Sequence, residues 1–310
     1  MRANAPDMIE WHPEIAAARQ AGAPIVALES SVLAQGLPAP ANREAYVRMS
    51  DGVRSAGAVP AVTAVVGGRA VVGLAGDALE RFLTSGASKV SARDLAHAIA
   101  TGRDGSTTVA GTLAICTAAG IDVFATGGIG GVHRDAPFDE SADLLELARS
   151  SVVVVCAGAK SILDLSATLE RLESYGVAVL GYRTNEFPGF FTPQTGLPVP
   201  GRADTATEIA RTFLAGRALG RPSALLVVRP PPVEAALDEN IVAVAVQSAL
   251  KQAAEVGVRG GAVTPFLLAA VERATSGKSV QTNLALLASN AHLAGEIAVA
   301  IHAAQGAANG

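Results

Sequence analysis

Short β-branched and aliphatic runs separated by stretches of helical periodicity set the frame of this chain. Pro24–Leu28, Val59–Val66, Ala70–Val72, Ile121–Ala125, Val152–Cys156, Val177–Leu180 and Ala224–Val228 are apolar and bounded by glycine, proline or polar residues, which marks buried strands. Between them the apolar spacing predicts helices over Glu14–Gln20, Asn42–Ala56, Ala78–Leu83, Asp94–Ala100, Val109–Ala119, Ser161–Tyr175 and Asp204–Leu219. Ser91 reads as the N-cap of the fourth of these. In Ser161–Tyr175 the apolar positions are Ile162, Leu165, Leu169 and Leu172. Residues 1–12 read as a loose lead-in, Gly67-Gly68 as a turn, Gly102 to Thr108 as a polar loop, and Phe187–Val199 as an irregular excursion rich in proline and glycine. After Pro230-Pro231-Pro232 only helical spacing remains, roughly over 234–256, 264–275 and 280–305. Strands alternating with helices predict one domain over residues 1–310: an α/β/α sandwich with a mostly parallel or mixed central sheet and a helical C-terminal region.

Composition narrows the class. The hydrophobic residues make up 50% of the 310, so core material is ample, and only 17% are charged. A net charge of -4, with the signs interspersed, argues against a nucleic-acid partner. So apolar a chain fits burial of surface between subunits. No uninterrupted apolar run approaches the ~20 residues of a membrane span, and the N-terminus has no signal-peptide pattern. Cys116 and Cys156 each sit in an apolar run and read as buried free thiols of a reducing compartment. The expectation is a cytoplasmic protein without a membrane partner.

The chemistry concentrates between Ile121 and Leu165. Both strand runs in this stretch end in small residues, and ligands in open α/β sheets collect outside the carboxyl ends of strands. After the first comes Thr126-Gly127-Gly128-Ile129-Gly130-Gly131, then His133, Arg134 and an acidic cluster; after the second comes Ala157-Gly158-Ala159-Lys160. The glycines do not form a dinucleotide fingerprint, because Gly128-x-Gly130-x-x meets His133 and no acidic residue follows at the required distance. A P-loop is also absent from the sequence. A turn that lets backbone amides approach a ligand fits the glycines, as does a tight turn with no ligand. Asp139, Glu140, Asp143 and Glu146 fit an acidic first helical turn. Asp139 and Asp143, at i and i+4, equally fit a shared helix face holding Mg²⁺ or Mn²⁺.

Lys160 has two readings, a surface lysine at a strand end or a Schiff-base nucleophile. In apolar surroundings an ammonium is destabilised and more of the neutral amine is present to attack a carbonyl or anomeric carbon. Glu29, at the exit of another strand and followed by Ser30 and Ser31, is the candidate general acid/base. Lys89, near the hydroxyls of 105–108, can hold a phosphate as a point charge.

These residues fall in longer matching segments. Ala27-Leu28-Glu29-Ser30, Lys89-Val90-Ser91-x-Arg93-Asp94-Leu95, Thr126 to Arg134, Ser141-Ala142-Asp143-Leu144, Val155 to Asp164 and Thr264 to Leu268 resemble the pseudouridine-5′-phosphate glycosidase family, also called the indigoidine synthase A family. The resemblance runs from about residue 13 to residue 303. It implies reversible cleavage of the C–C glycosidic bond of pseudouridine 5′-phosphate to uracil and ribose 5-phosphate, with a divalent metal, usually Mn²⁺. By motif, Lys160 is then the nucleophile on C1′ of a ring-opened ribose, Glu29 the proton donor and Asp139 the metal ligand. Lys89, Val109, Ser141, Ala142 and Asp143 contact substrate, and Thr126, His133 and Asn283 fall at matching pocket positions. The family's homotrimers agree with the apolar composition.

Two departures concern the base or acceptor. Gln35 stands where the family usually has histidine, and Arg229-Pro230-Pro231-Pro232-Val233-Glu234 replaces an N-P-[IV]-P-E pattern. A relative that joins ribose 5-phosphate to an aromatic acceptor would keep Lys160, Glu29, Lys89 and Asp139 and change only the acceptor pocket. A non-catalytic sugar-phosphate-binding protein and an NAD-dependent oxidoreductase are the readings from other classes. Intact motifs count against the first and the missing fingerprint against the second.

Overall fold

Parallel strands buried on both faces form the centre of the molecule, and the chain reaches them in alternation with helices. The computed structural model describes residues 8–134, 138–258 and 263–309. In chain order the strands are β1 Ile9–Trp11, β2 Ile25–Glu29, β3 Val59–Val66, β4 Arg69–Val72, β5 Ser88–Val90, β6 Gly105–Thr107, β7 Val123–Ala125, β8 Val132–His133, β9 Val153–Cys156, β10 Leu163–Asp164, β11 Ala178–Tyr182, β12 Gly201–Ala203 and β13 Leu225–Val228. The helices are α1 Pro13–Gln20, α2 Ala41–Ser55, α3 Gly76–Thr84, α4 Leu95–Ala100, α5 Val109–Ala119, α6 Ala142–Leu147, α7 Leu165–Ser174, α8 Ala206–Ala218, α9 Glu239–Val256, α10 Val263–Ala274 and α11 Lys278–Asn309. The main sheet has 11 strands, with the path β1-β4-β3-β2-β7-β9-β13-β11-β12, and with β6 joined to β3 and β5 to β6. Only β3 with β4 and β3 with β6 pair antiparallel in it; β8 and β10 form a separate antiparallel pair. The expected α/β class with a mostly parallel sheet and a helical C-terminal region is what the chain adopts.

The central strands β7, β9 and β13 are buried at every position, which explains why they read as unbroken apolar runs rather than alternating ones. Their register brings the strand ends level: Leu28 faces Ala125, Ala125 faces Val155, and Cys156 faces Val228. α5, apolar nearly all round, is buried against β2, β3, β7 and α6. Thr108 caps it by accepting from the Gly111 N–H (3.2 Å), and left-handed Gly120 ends it. α11 packs on α2 and α8 and crosses β2, β7 and β9. By length and composition α11 could cross a membrane, although polar residues interrupt its apolar stretches; most of its apolar window is buried inside the fold.

Four local expectations are corrected. Within the lead-in, Ile9–Trp11 pairs with β4 as an edge strand, while residues 1–7 lie outside the described residues. The polar stretch from Gly102 to Thr108 contains β6, whose Ser106 and Thr107 are fully buried, with hydroxyls bonded to protein partners. The helix expected from Ser161 starts only at Leu165, because Asp164 caps it by accepting from the Ala167 N–H (2.9 Å), and Leu163–Asp164 pairs with β8 first. The helix expected from residue 234 starts at Glu239, capped by Asp238.

Candidate active site

Three neighbouring strands, β2, β7 and β9, aim their carboxyl ends at one cleft of about 810 Å³. β2 delivers Glu29 as its last residue. β7 is followed by the glycine turn and β9 by the turn carrying Lys160, and backbone hydrogen bonds join the two turns. The N–H groups of Ala157, Ile129 and Lys160 donate to the carbonyls of Gly127, Gly158 and Ile129, at 2.9, 3.0 and 3.1 Å. Lys160 therefore leaves a backbone that parallel pairing has already fixed. Gly158 has φ +84°, and a Cβ there would lie 2.2 Å from the Pro188 carbonyl oxygen, so only glycine makes this turn.

The acidic cluster is arranged differently from the shared face that the spacing predicts. α6 begins at Ala142, behind the cap Ser141, so Asp139 precedes the helix. Asp143 is 6% exposed and accepts from the Gly130 N–H (2.8 Å) and the Ala110 N–H (2.9 Å), which ties the glycine turn to the start of α5. Glu140 is paired with Arg171. Asp139 lines the cleft, and its carboxylate is engaged by no described residue. Among the described residues, no group of three or more His, Cys, Asp or Glu side chains comes together as a metal cage. The donor set fits a hard cation held by the Asp139 carboxylate and otherwise by water and substrate oxygens. It does not fit a closed protein cage.

Glu29 is 6% exposed, and both of its oxygens are occupied. Thr126 Oγ1 donates to Oε1 and Ser31 Oγ donates to Oε2. Lys89 reaches the cleft from β5, which pairs with β6 through Lys89 opposite Ser106. Although the residue is exposed at the cleft mouth, partial desolvation, and after it the like charge of Lys160, hold its ammonium below the usual lysine range; Asp143 and Glu29 oppose this.

Of the sequence-predicted site residues, Glu29, Lys89, Val109, His133, Asp139, Ser141, Ala142, Asp143, Lys160 and Asn283 line the cleft. Thr126 does not; it is buried behind Glu29, with its carbonyl accepting from Asn290 Nδ2 (2.9 Å). Asn283 comes from α11, and its Oδ1 is buried without a hydrogen-bond partner. Gln35 lines the wall, donates to the Ala87 carbonyl, and accepts from Ser106 Oγ at 2.8 Å. Arg229 lies outside the lining and donates to the Ser289 carbonyl (3.0 Å), so that departure braces β13 against α11. Sequence reasoning missed Phe190, from the irregular excursion, and Leu268 of α10. The aromatic content of Phe187–Val199 was the available signal for the first, and the matching segment Thr264 to Leu268 for the second.

Comparison with known proteins agrees with this geometry. Residues 14–300 match the family model of indigoidine synthase A like proteins. The chain is 60% identical over 285 residues to a pseudouridine-5′-phosphate glycosidase of Gemmatimonas aurantiaca, covering 92% of this chain and 93% of that one. It is 45% identical to the enzyme of that name from Escherichia coli K12, over 94% of this chain and 95% of the other. Among solved structures, a prealnumycin C-glycosynthase in complex with ribulose 5-phosphate superposes with a TM-score of 0.89 at 41% identity, covering 97% of this chain and 99% of that one. An indigoidine synthase A-like protein of Thermotoga maritima gives 0.88 at 36%, covering 95% and 97%.

Proposed function

The chain belongs to the indigoidine synthase A-like family, and on that premise we propose that it is a C-glycosidase acting on pseudouridine 5′-phosphate, reversibly, to give uracil and ribose 5-phosphate. The observation that carries the reading is the convergence of the Lys160 amine and the Glu29 carboxylate, from strands flanking β7, in a cleft that Lys89 also enters.

A C–C glycoside has no leaving oxygen to protonate, so the two-carboxylate logic of ordinary glycosidases does not suffice. The Lys160 amine bonds C1′ as the C1′–O4′ bond breaks, and O4′ leaves as the free hydroxyl of the opened ribose, taking up the proton that the amine gives off. The nitrogen lone pair then forms C1′=N as the C1′–C5 bond breaks, the bonding pair passes to C5 of the base, and Glu29 supplies the proton. Water hydrolyses the iminium, releasing ribose 5-phosphate and the amine. Lys89 binds the phosphate, while Val109, Ser141, Ala142 and Asp143 shape the sugar side and His133 and Asn283 the base side. Thr126 acts through Glu29. A divalent cation, Mn²⁺ by family resemblance, would be held by Asp139 and would organise substrate oxygens by its charge.

A second reading, condensation of ribose 5-phosphate with an aromatic acceptor, draws on the C-glycosynthase likeness and on Gln35 in the wall. The higher identity to glycosidases favours uracil. Exposed Val233, Ile241, Val244 and Val256, in and just before α9, support a homotrimer that buries them, and light scattering would count the subunits. Buried Cys116 and Cys156, the latter pushed up to about 12 by desolvation, suit a cytoplasmic setting.

The deciding experiment incubates the protein with pseudouridine 5′-phosphate and Mn²⁺ and follows uracil release. Cleavage abolished by Lys160→Ala is the expected result. Absence of cleavage with ribose 5-phosphate still trapped on Lys160 by borohydride would instead select the synthase reading. Absence of both would refute the Schiff-base chemistry.

A further inference from the structure

The two hydroxyls on Glu29 are not equivalent. Thr126 is 1% exposed and is not part of the cleft wall, and its backbone is pinned at both ends. Its N–H donates to the Val155 carbonyl (3.0 Å), and its carbonyl accepts from Asn290. Ser31 is half-buried and lines the cleft. It opens the short π-helical turn Val32–Gly36, yet its hydroxyl caps no amide there and is given wholly to Glu29 Oε2. One carboxylate oxygen thus faces a fixed hydroxyl away from the cleft, and the other is covered by the Ser31 hydroxyl, which lines the cleft beside Glu29.

We infer that Ser31 is the proton relay between Glu29 and the reacting carbon. Protonated at Oε2, Glu29 donates to Ser31 Oγ, and Ser31 passes its own hydrogen to the carbon. The serine ends with one O–H bond made and one broken, Glu29 ends as carboxylate, and the carbon gains the proton. Thr126 is a positioning residue that keeps Oε1 out of this exchange. The inference rests on the reading of Glu29 as proton donor and adds the path that the proton takes.

The test compares Ser31→Ala and Ser31→Thr with the unsubstituted protein, using pseudouridine 5′-phosphate and Mn²⁺ for turnover and ribose 5-phosphate with borohydride for adduct formation. Removing one step of general-acid transfer predicts a fall in kcat of about 100-fold or more in Ser31→Ala, with KM nearly unchanged. Adduct trapping on Lys160 should persist, and Ser31→Thr, which restores the hydroxyl, should recover kcat to within about threefold. The rate in mixed H₂O/D₂O should bow downward for the unsubstituted protein, as two protons in flight require, and become linear in Ser31→Ala. An alanine variant that keeps kcat within twofold, or a threonine variant as slow as the alanine one, would overturn the relay. Loss of trapping in Ser31→Ala would make Ser31 a structural residue and overturn it too. A Glu29→Gln variant that keeps kcat would instead remove the reading of Glu29 as proton donor on which it rests.

Discussion

Replacing Asp143 with alanine tests whether that carboxylate holds the site together or only touches substrate. Its two oxygens accept from the N–H groups of Gly130 and Ala110, at 2.8 and 2.9 Å, inside the fold. Alanine would leave both amides buried and unpaired, and each orphaned donor costs about 1–3 kcal/mol, or about 2–6 kcal/mol together. Water entering from the cleft side would recover part of this, so about 3 kcal/mol is expected, a large fraction of a typical stability of ~5–15 kcal/mol. With a urea dependence of about 3 kcal/mol per molar, the unfolding midpoint should fall by ~1 M. Asparagine should restore little, since its amide nitrogen would face one of the two donors. The assay is urea unfolding followed by tryptophan fluorescence, run beside KM. Unchanged stability with a raised KM would refute the argument and leave Asp143 as a substrate contact alone.

Lys89→Met should weaken substrate binding while raising the stability of the free protein at neutral pH. The folded-state pKa of Lys89 is depressed, so the charged form is disfavoured in the fold. That penalty is full below the depressed pKa and fades as pH rises through it toward the ordinary ~10.4, so melting curves of the two proteins should converge at high pH. Gly158→Ala forces a side chain into left-handed backbone 2.2 Å from the Pro188 oxygen; a loss of about 3 kcal/mol and a melting point several degrees lower are expected, together with displacement of Lys160 and a fall in kcat. Gln35→Ala releases the link from the turn after Glu29 to the segment that carries Lys89, and the loss of about 1 kcal/mol of hydrogen bonding should raise KM roughly fivefold, read in steady-state kinetics.

The strands that carry the site were legible because a buried parallel strand must be apolar throughout, and Val153–Cys156 is. β6 was not, because its buried side chains are hydroxyls. Ser30, Thr63, Thr107 and Thr112 satisfy one another beneath the cleft, a pattern that in sequence reads as a polar loop. The acidic cluster misled for a related reason: spacing shows what can share a helix face, and not where the helix starts. Ser141 sets that start, which frees Asp139 toward the cleft and turns Asp143 inward. The candidate nucleophile and acid could be named from their strand exits. The division of labour between Ser31 and Thr126 around Glu29 depends on which hydroxyl is buried, and the 94 residues between them carry no trace of that.

The position of α11 also has a consequence for synthesis. The helix crosses β2, β7 and β9, and supplies Asn283 to the cleft and Asn290 to the Thr126 carbonyl. Everything else in the site lies earlier in the chain, so a nascent polypeptide can carry Glu29, Lys89 and Lys160 outside the ribosome with one face of its sheet still bare. Until α11 docks, that face is a sticky surface of valine and leucine, and the amine is held in no finished enclosure. The interval before α11 docks is therefore when this face is most open to aggregation.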